Sequence, residues 1–324
     1  MPISTRRDAP SIACNDRRYA VVKTNVENLV RTCVLGEVRP HLARAGYQIT
    51  HDGRPVAVPS VGGVCYNVKV GDRLWDWVAD HLEPGVSTRN RDREDNVGYN
   101  LYSCVGNRAR VVSGDAKGAV GVVTGKHGGI EHVIIDFNDR TLRRLVPGDK
   151  ILVEAFGLGL ALSDWPGVKV MNVDPELLGK MGLRKRRGRL RVRVAALVPA
   201  RIMGSGLGSE SSYRGDYDIQ LFDDETVAEF GLDRLRFGDF VAILDADHSY
   251  GRIYKKGAVS VGVVVHGRCV KSGHGPGVTT VMTSSDGLIE PVIDANANVG
   301  YYLKIGRWRA RAGRKPAGGR KKRE

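Results

Sequence analysis

Histidines and aspartates gather where apolar runs give way to glycine. Residues 240–282 read FVAILDADHSYGRIYKKGAVSVGVVVHGRCVKSGHGPGVTTVM, three strand-length apolar runs cut by Gly-rich turns. Asp245, Asp247 and His248 close the first run, His266 closes the second, and His274 sits in the turn before the third. A strand end that opens into a loop lets a rigid scaffold hold a reactive side chain. Upstream, Asp80, His81 and Glu83 precede a Pro84-Gly85 turn, and Lys126-His127 opens the turn KHGG. Mixed imidazole and carboxylate donors suit a divalent metal ion. Such an ion acidifies bound water and polarises a carbonyl. The pattern therefore predicts a metal site drawn from Asp80, His81, Asp245 and Asp247. His274, His248 and His266 are the expected catalytic groups, with Glu83, Lys126, His127 and Asp218 as contacts to substrate or an anion. Little side-chain bulk surrounds His274 in SGHGPG, so a substrate can approach its imidazole closely.

Each of these residues also has a plainer reading. Asp-X-Asp before a turn often only caps it. His132 alternates with apolar neighbours in EHVIIDF and reads as a packed histidine. HExxH, GxSxG and GxxxxGK[ST] are all absent, and Gly157-Leu-Gly159 lacks the third glycine of a dinucleotide-binding turn. The argument for a site is the clustering of several such groups in Gly-rich turns.

The elements that must position them read as mainly β. The chain has 324 residues, 41 of them glycine, with few aromatics, which suits short strands and tight turns. Three Gly-Asp pairs, Gly71-Asp72, Gly148-Asp149 and Gly238-Asp239, stand at apolar boundaries and read as corners that start strands. A hairpin-like stretch runs through YQIT, HDGRP and VAVPS (47–60), and VGGVCYNVKVGD (61–72) reads as a further strand. DPELLGKM (174–181) begins a short helix with Asp174 as N-cap and Pro175 in first position, and DDETVAEFGL (223–232) is helical. RNRDREDN (89–96) reads as an exposed loop. MGSGLGS (203–209) is a flexible Gly-rich stretch able to cradle an anion or to link domains. The expected organisation is a flexible arm at 1–18, an N-terminal β domain at 19–150, a C-terminal β-rich domain at 151–305 and a disordered basic tail at 306–324.

The net charge of +14 is local. Residues 180–193 carry eight basic residues and no acid, and 307–324 carry nine basic residues and one acid, leaving the rest nearly neutral. In GRLRVRV the period of two puts Leu190, Val192 and Val194 on one face and Arg189, Arg191 and Arg193 on the other. That strand and the tail could attract nucleic acid without sequence preference; a solvated edge strand is the commoner use of such a face. Five cysteines, Cys14, Cys33, Cys65, Cys104 and Cys269, are scattered without a CxxC pair and read as reduced thiols in a cytosol. No secretory leader and no membrane-length apolar run is visible.

Two resemblances add to this. GNRARVVSGDAKGAVGVV (106–123) resembles the KOW motif of certain ribosomal proteins and elongation factors. The resemblance implies two strands and a turn of a small SH3-like barrel, here about 104–137, often placed on RNA. Over that span, four basic residues against three acidic ones make a weak phosphate-binding face. DHLEPGV (80–86), GKHGG (125–129), DADHSYGR (245–252) and GHGPGV (273–278), in that order, resemble an uncharacterised prokaryotic family, domain of unknown function 4438. That resemblance runs from about Val21 to Leu303 and implies a β-rich fold of several subdomains. It brings no activity. The reading is a cytoplasmic enzyme, a metal-assisted hydrolase or lyase on a small amide-like substrate. The alternative is an RNA-binding protein that uses the barrel, the arginine strand and the tail.

Overall fold

The computed structural model describes residues 22–42, 46–205 and 211–310. The expected N-terminal arm and residues 311–324 of the basic tail lie outside the described residues. The first part contains β1 (Thr32–Val38), the small hairpin β2 (Gln48–Ile49) and β3 (Pro55–Val56), then β4 (Val86–Arg89) and α1 (Arg93–Tyr102). It continues with β5 (Arg108–Val111), β6 (Val120–His127), β7 (His132–Asp136), α2 (Asp139–Leu142) and β8 (Lys150–Ala155). Six of these strands close a barrel in the order β1-β4-β7-β6-β5-β8. Alternation fills it: Ala109, Val111, Val123, Val133, Ile135, Ile151 and Val153 point inward and are fully buried.

The second part contains β9 (Lys169–Val170), α3 (Pro175–Lys180), β10 (Arg184–Arg186), β11 (Arg189–Val194), β12 (Ala196–Pro199) and β13 (Tyr217–Asp218). α4 (Asp224–Phe230), β14 (Phe240–Asp247), β15 (Ile253–Val264), β16 (Gly277–Ser284), β17 (Ile289–Ile293) and α5 (Val299–Leu303) complete it. The main sheet runs β12-β14-β15-β16-β13, with β9 also paired to β16; a three-stranded sheet β10-β11-β17 stands beside it. Leu190, Val192 and Val194 pack with Phe240, Val261 and Val281 in one buried cluster. The fold is thus mainly β, with a closed barrel, several smaller sheets and few short helices.

The three Gly-Asp corners are one device used three times. Gly71, Gly148 and Gly238 all take positive φ. In each, the following Asp accepts from the backbone N–H three residues back: Lys69 to Asp72, Val146 to Asp149 and Arg236 to Asp239. Asp174 caps α3 as its sequence predicts, and Asp223 caps α4.

Several expectations change. The barrel is not confined to 104–137, which supplies only β5, β6 and β7; the other three strands come from distant sequence, and β8 crosses the expected boundary at 150. Residues 61–72 form turns, not a strand, apart from a single bridge from Val64 to Val86. The mixed-charge run 89–96 starts a helix, because the Asp92 carboxylate accepts from the N–H groups of Glu94 and Asp95. The arginine strand β11 is central rather than an edge, antiparallel to β10 and parallel to β17. The start of the expected tail is ordered: 306–310 turn against the barrel, with Arg307 on Asp72 and Arg309 on Asp136.

One seam joins the two parts. The Lys126 N–H of β6 donates to Thr279 Oγ1 of β16 (3.1 Å), and the Thr279 hydroxyl donates back to the Lys126 carbonyl (2.9 Å). Beside it Gly125 lies directly against Val265, where a Cβ would collide. The buried Lys126 ammonium ties the same seam through Asn172 Oδ1 (2.8 Å) and the Tyr213 carbonyl (2.6 Å). Thr279→Val keeps the shape but strands both backbone groups of Lys126, so it should cost about 2 kcal/mol in urea unfolding. A loss indistinguishable from zero would show that the clasp is not holding the seam.

Candidate functional site

The seam brings histidines of the barrel against histidines of the main sheet. His127 ends β6 and His266 follows β15; their rings stack at 4.0 Å between centroids. His81, from the loop before β4, lies 5.3 Å from His266 and 5.2 Å from His274. Asp216 and Asp218 approach from either end of the two-residue strand β13, on one face, while Tyr217 between them turns the other way onto His248.

Three side chains converge on the buried wall. His127 Nδ1 bonds Glu83 Oε1 (2.7 Å), which leaves its Nε2 free to face inward. His266 Nδ1–H donates to the carbonyl of Gly267 (3.0 Å), which turns Nε2 toward Asp216. His266 Nε2 and Asp216 Oδ2 stand 2.9 Å apart, yet neither has a hydrogen-bond partner of suitable geometry. Both residues are almost wholly buried. The donor atoms of His127, Asp216 and His266 all lie within 4.8 Å of one another. Gly277 makes the room, since a Cβ there would collide with both Asp216 Oδ2 and His266 Nε2. Asp216 is steadied through Oδ1 by the Gly128 N–H (2.7 Å).

The carboxylates behind the imidazoles set their direction. Glu83 accepts from Gly62 N–H (2.8 Å) and Ser87 hydroxyl (2.5 Å) and also faces His132 Nδ1 at 3.0 Å. Burial opposes its charge, but His132 and His127 outweigh that and hold the Glu83 carboxyl well below its usual range. Asp80 does the same for His81, meeting Nδ1 at 2.9 Å while accepting from the Val270 N–H and the Cys269 thiol. His81 itself has a left-handed backbone, φ +50°, uncommon for a residue with a Cβ. Burial disfavours an imidazolium at His266, yet Asp216 and Asp218 beside it raise its pKa well above the histidine norm. Burial, reinforced by the neighbouring His266, lowers that of His127.

These groups form one wall of a cavity of about 1120 Å³. Asp80, His81, His127, Asp216, Asp218 and His274 are its polar lining. Leu42, Tyr47, Ile49, Val56, Val58 and Val61, mostly from the β2–β3 hairpin and its flanks, are its apolar lining. A backbone bond from His51 N–H to the Val270 carbonyl (2.7 Å) holds that hairpin near the site.

Of the predicted residues, His81, His127, His266, His274, Asp80 and Asp218 come together. Asp245 and Asp247 do not. Asp245 sits at a bulge of β14 with φ +54° and accepts from Gly257 N–H, and Asp247 caps its turn through Ser249. Both shape the β14–β15 hairpin, the plainer reading of Asp-X-Asp. His248 is buried on the far face of β13, bonded to Thr280 and packed on Tyr217, so it is not positioned as a catalytic group. Glu83 and Lys126 are fully enclosed by protein partners and cannot touch a substrate. Asp216, Cys269 and a role for His132 beyond packing were not foreseen. For Asp216 a signal existed, because the alternation of Asp216-Tyr217-Asp218 puts both carboxylates on one face. Arg191 and Arg193 meet Glu290 and Asp294 at 3.3 Å each, so two of the three arginines on that face have acidic neighbours. The four described cysteines, Cys33, Cys65, Cys104 and Cys269, are free thiols.

Barrel, mixed sheet and the imidazole-carboxylate cluster at their seam define a two-part β protein with a recessed polar cavity. The family model of the N-terminal domain of unknown function 4438 matches residues 47–179, and that of its C-terminal domain matches 180–303. The chain belongs to this family. It is similar to the solved crystal structure of TM1086, with 47% sequence identity and a TM-score of 0.84 over 87% of this chain and 99% of that one. None of the curated proteins matches the chain.

The buried His248 supplies a pH signature. Burial keeps its imidazole neutral, with the pKa pushed down to about 3. In the unfolded chain a histidine titrates near 6.5, so below that pH the unfolded state binds more protons. This contribution is complete above about pH 6.5 and is lost as pH falls toward 3. Between pH 7 and 5 the parent protein should lose about 2 kcal/mol more stability than His248→Gln. Parallel losses in urea titrations of the two proteins would refute the assignment.

Proposed function

We propose that the chain is a metal-dependent enzyme, a hydrolase or related lyase, acting on a small polar substrate such as an amide within the cavity. The observation that carries this reading is the convergence of His127, His266 and Asp216. His266 Nε2 and Asp216 Oδ2 are buried and 2.9 Å apart but out of hydrogen-bond geometry, so a proton between them serves neither atom well, whereas a cation ligated by both would. Two imidazoles and a carboxylate are the donor set of a zinc-like catalytic site that keeps a position open for water or substrate. Each imidazole is held through its other nitrogen, His127 by Glu83 and His266 by a backbone carbonyl, as metal-binding histidines require. A cation there would make a hydroxide near neutral pH and polarise a carbonyl placed in the cavity. His274 at the mouth, with its side chain 40% exposed, is reachable by substrate and is the natural proton carrier. Free thiols suit a reducing, cytoplasmic setting. No helix among the described residues is long and apolar enough to cross a membrane. RNA binding draws less support, since Arg191 and Arg193 are engaged by Glu290 and Asp294.

Purified protein incubated with Zn²⁺ or Mn²⁺ and then desalted should retain cation by elemental analysis, and its melting temperature should rise. At a hundredfold excess over Kd the gain is about 2.7 kcal/mol. Asp216→Asn and His266→Ala should abolish both effects and any amide hydrolysis the parent protein shows. Failure of the parent protein to retain any of these cations would remove the basis for the reading.

A further inference from the structure

A second constellation faces the first across a single carboxylate. His81 Nδ1 is occupied by Asp80, which leaves Nε2 directed at His274 Nδ1, 3.4 Å away. His274 Nδ1 in turn stands 3.2 Å from Asp218 Oδ2. Donors around a tetrahedral cation with bonds of about 2.0–2.1 Å sit about 3.3 Å apart, close to both separations. Asp218 Oδ1 points the other way, 3.6 Å from His266 Nε2. Its two oxygens therefore face different imidazoles, His274 on one side and His266 on the other. Oδ2 also accepts from Ser205 hydroxyl (3.1 Å) and Gly275 N–H (3.3 Å), which fix the carboxylate between them. Cys269 Sγ lies within 4.8 Å of ligand atoms of His81 and His274, but on the Nδ1 side of the His81 ring, where its thiol donates to Asp80.

Charge counts the same way. Asp80, Glu83, Asp216 and Asp218 bring four carboxylates into one nearly dry region. With the imidazoles acting as neutral ligands, as metal binding requires, those four charges need cations to balance them, and buried charge without a partner is costly. One divalent cation offsets half of them; two offset all. The tetrapeptide 80–83 supplies an orienting carboxylate to each triad, Asp80 to His81 and Glu83 to His127.

We propose that the site holds two divalent transition-metal cations, the second on His81, His274 and Asp218, with Asp218 bridging it to the first. This rests on the metal-dependent reading above and extends it. Two ions bridged in this way stand about 3.5–4 Å apart and can clamp the attacking and leaving oxygens or nitrogens of one substrate group. His274 then serves as a ligand rather than as a proton carrier.

The test is Mn²⁺ loading of the full chain, read by elemental analysis and by electron paramagnetic resonance. The parent protein should hold about two Mn²⁺ per chain with the spectrum of an exchange-coupled pair. His274→Ala, in an accessible loop, and His81→Asn, which tolerates the left-handed backbone, should each hold about one, uncoupled. Circular dichroism and the melting temperature establish that both variants fold. One uncoupled Mn²⁺ in the parent protein overturns the second site and leaves the single-cation reading with His274 as proton carrier. Two ions that persist in both variants overturn it as well, because the second would lie elsewhere. No bound Mn²⁺ or Zn²⁺ at all removes the underlying reading together with this one.

Discussion

The site depends on how closely a barrel strand can lie against the neighbouring sheet. Lys126 and Thr279 exchange two hydrogen bonds across the seam, and Gly125 contributes no side chain to hold the surfaces apart. Only at that spacing do His127 and His266 stack. Neither part owns the cluster: His81, His127 and Glu83 come from the first, and Asp216, Asp218, His266 and His274 from the second. The packing of the two parts and the assembly of the chemistry are one event, so losses of either should travel together.

Electrostatics explains why so many polar groups tolerate burial. The imidazoles of His81, His127 and His266 are each held from behind by an acceptor, and the carboxylates spend their outer lone pairs on backbone or hydroxyl donors. Glu83 alone meets Gly62, Ser87, His127 and His132. Such a network fixes ring orientation more tightly than loop packing could. Among the buried polar atoms left without a hydrogen bond, His266 Nε2 and Asp216 Oδ2 face each other 2.9 Å apart.

Much of the fold can be read from local rules. The strands at 240–247, 253–264 and 277–284, the caps Asp174 and Asp223, and the Gly-Asp corners follow from alternation and turn chemistry. The barrel's extent does not, because β1 pairs with β8 across more than a hundred residues and with β4 across about fifty, and short strands carry no mark of their partner. The site divides the same way. Histidines next to glycine at strand ends were legible as a class. Separating His266, which joins the cluster, from His248, which packs against Thr280 and Tyr217, requires knowing which face of β13 each meets. Asp245 and Asp247 looked like ligands because a turn cap and a chelating pair share one sequence pattern.

The hairpin β2–β3 and its flanks give the cavity a mixed lining, with Tyr47, Ile49 and Val56 beside its histidines and aspartates. A guest that satisfies both kinds of residue must be two-faced, with its heteroatoms at one end and hydrocarbon at the other. Such a guest would be oriented by the lining itself, its hydrocarbon against the hairpin and its heteroatoms toward the imidazoles.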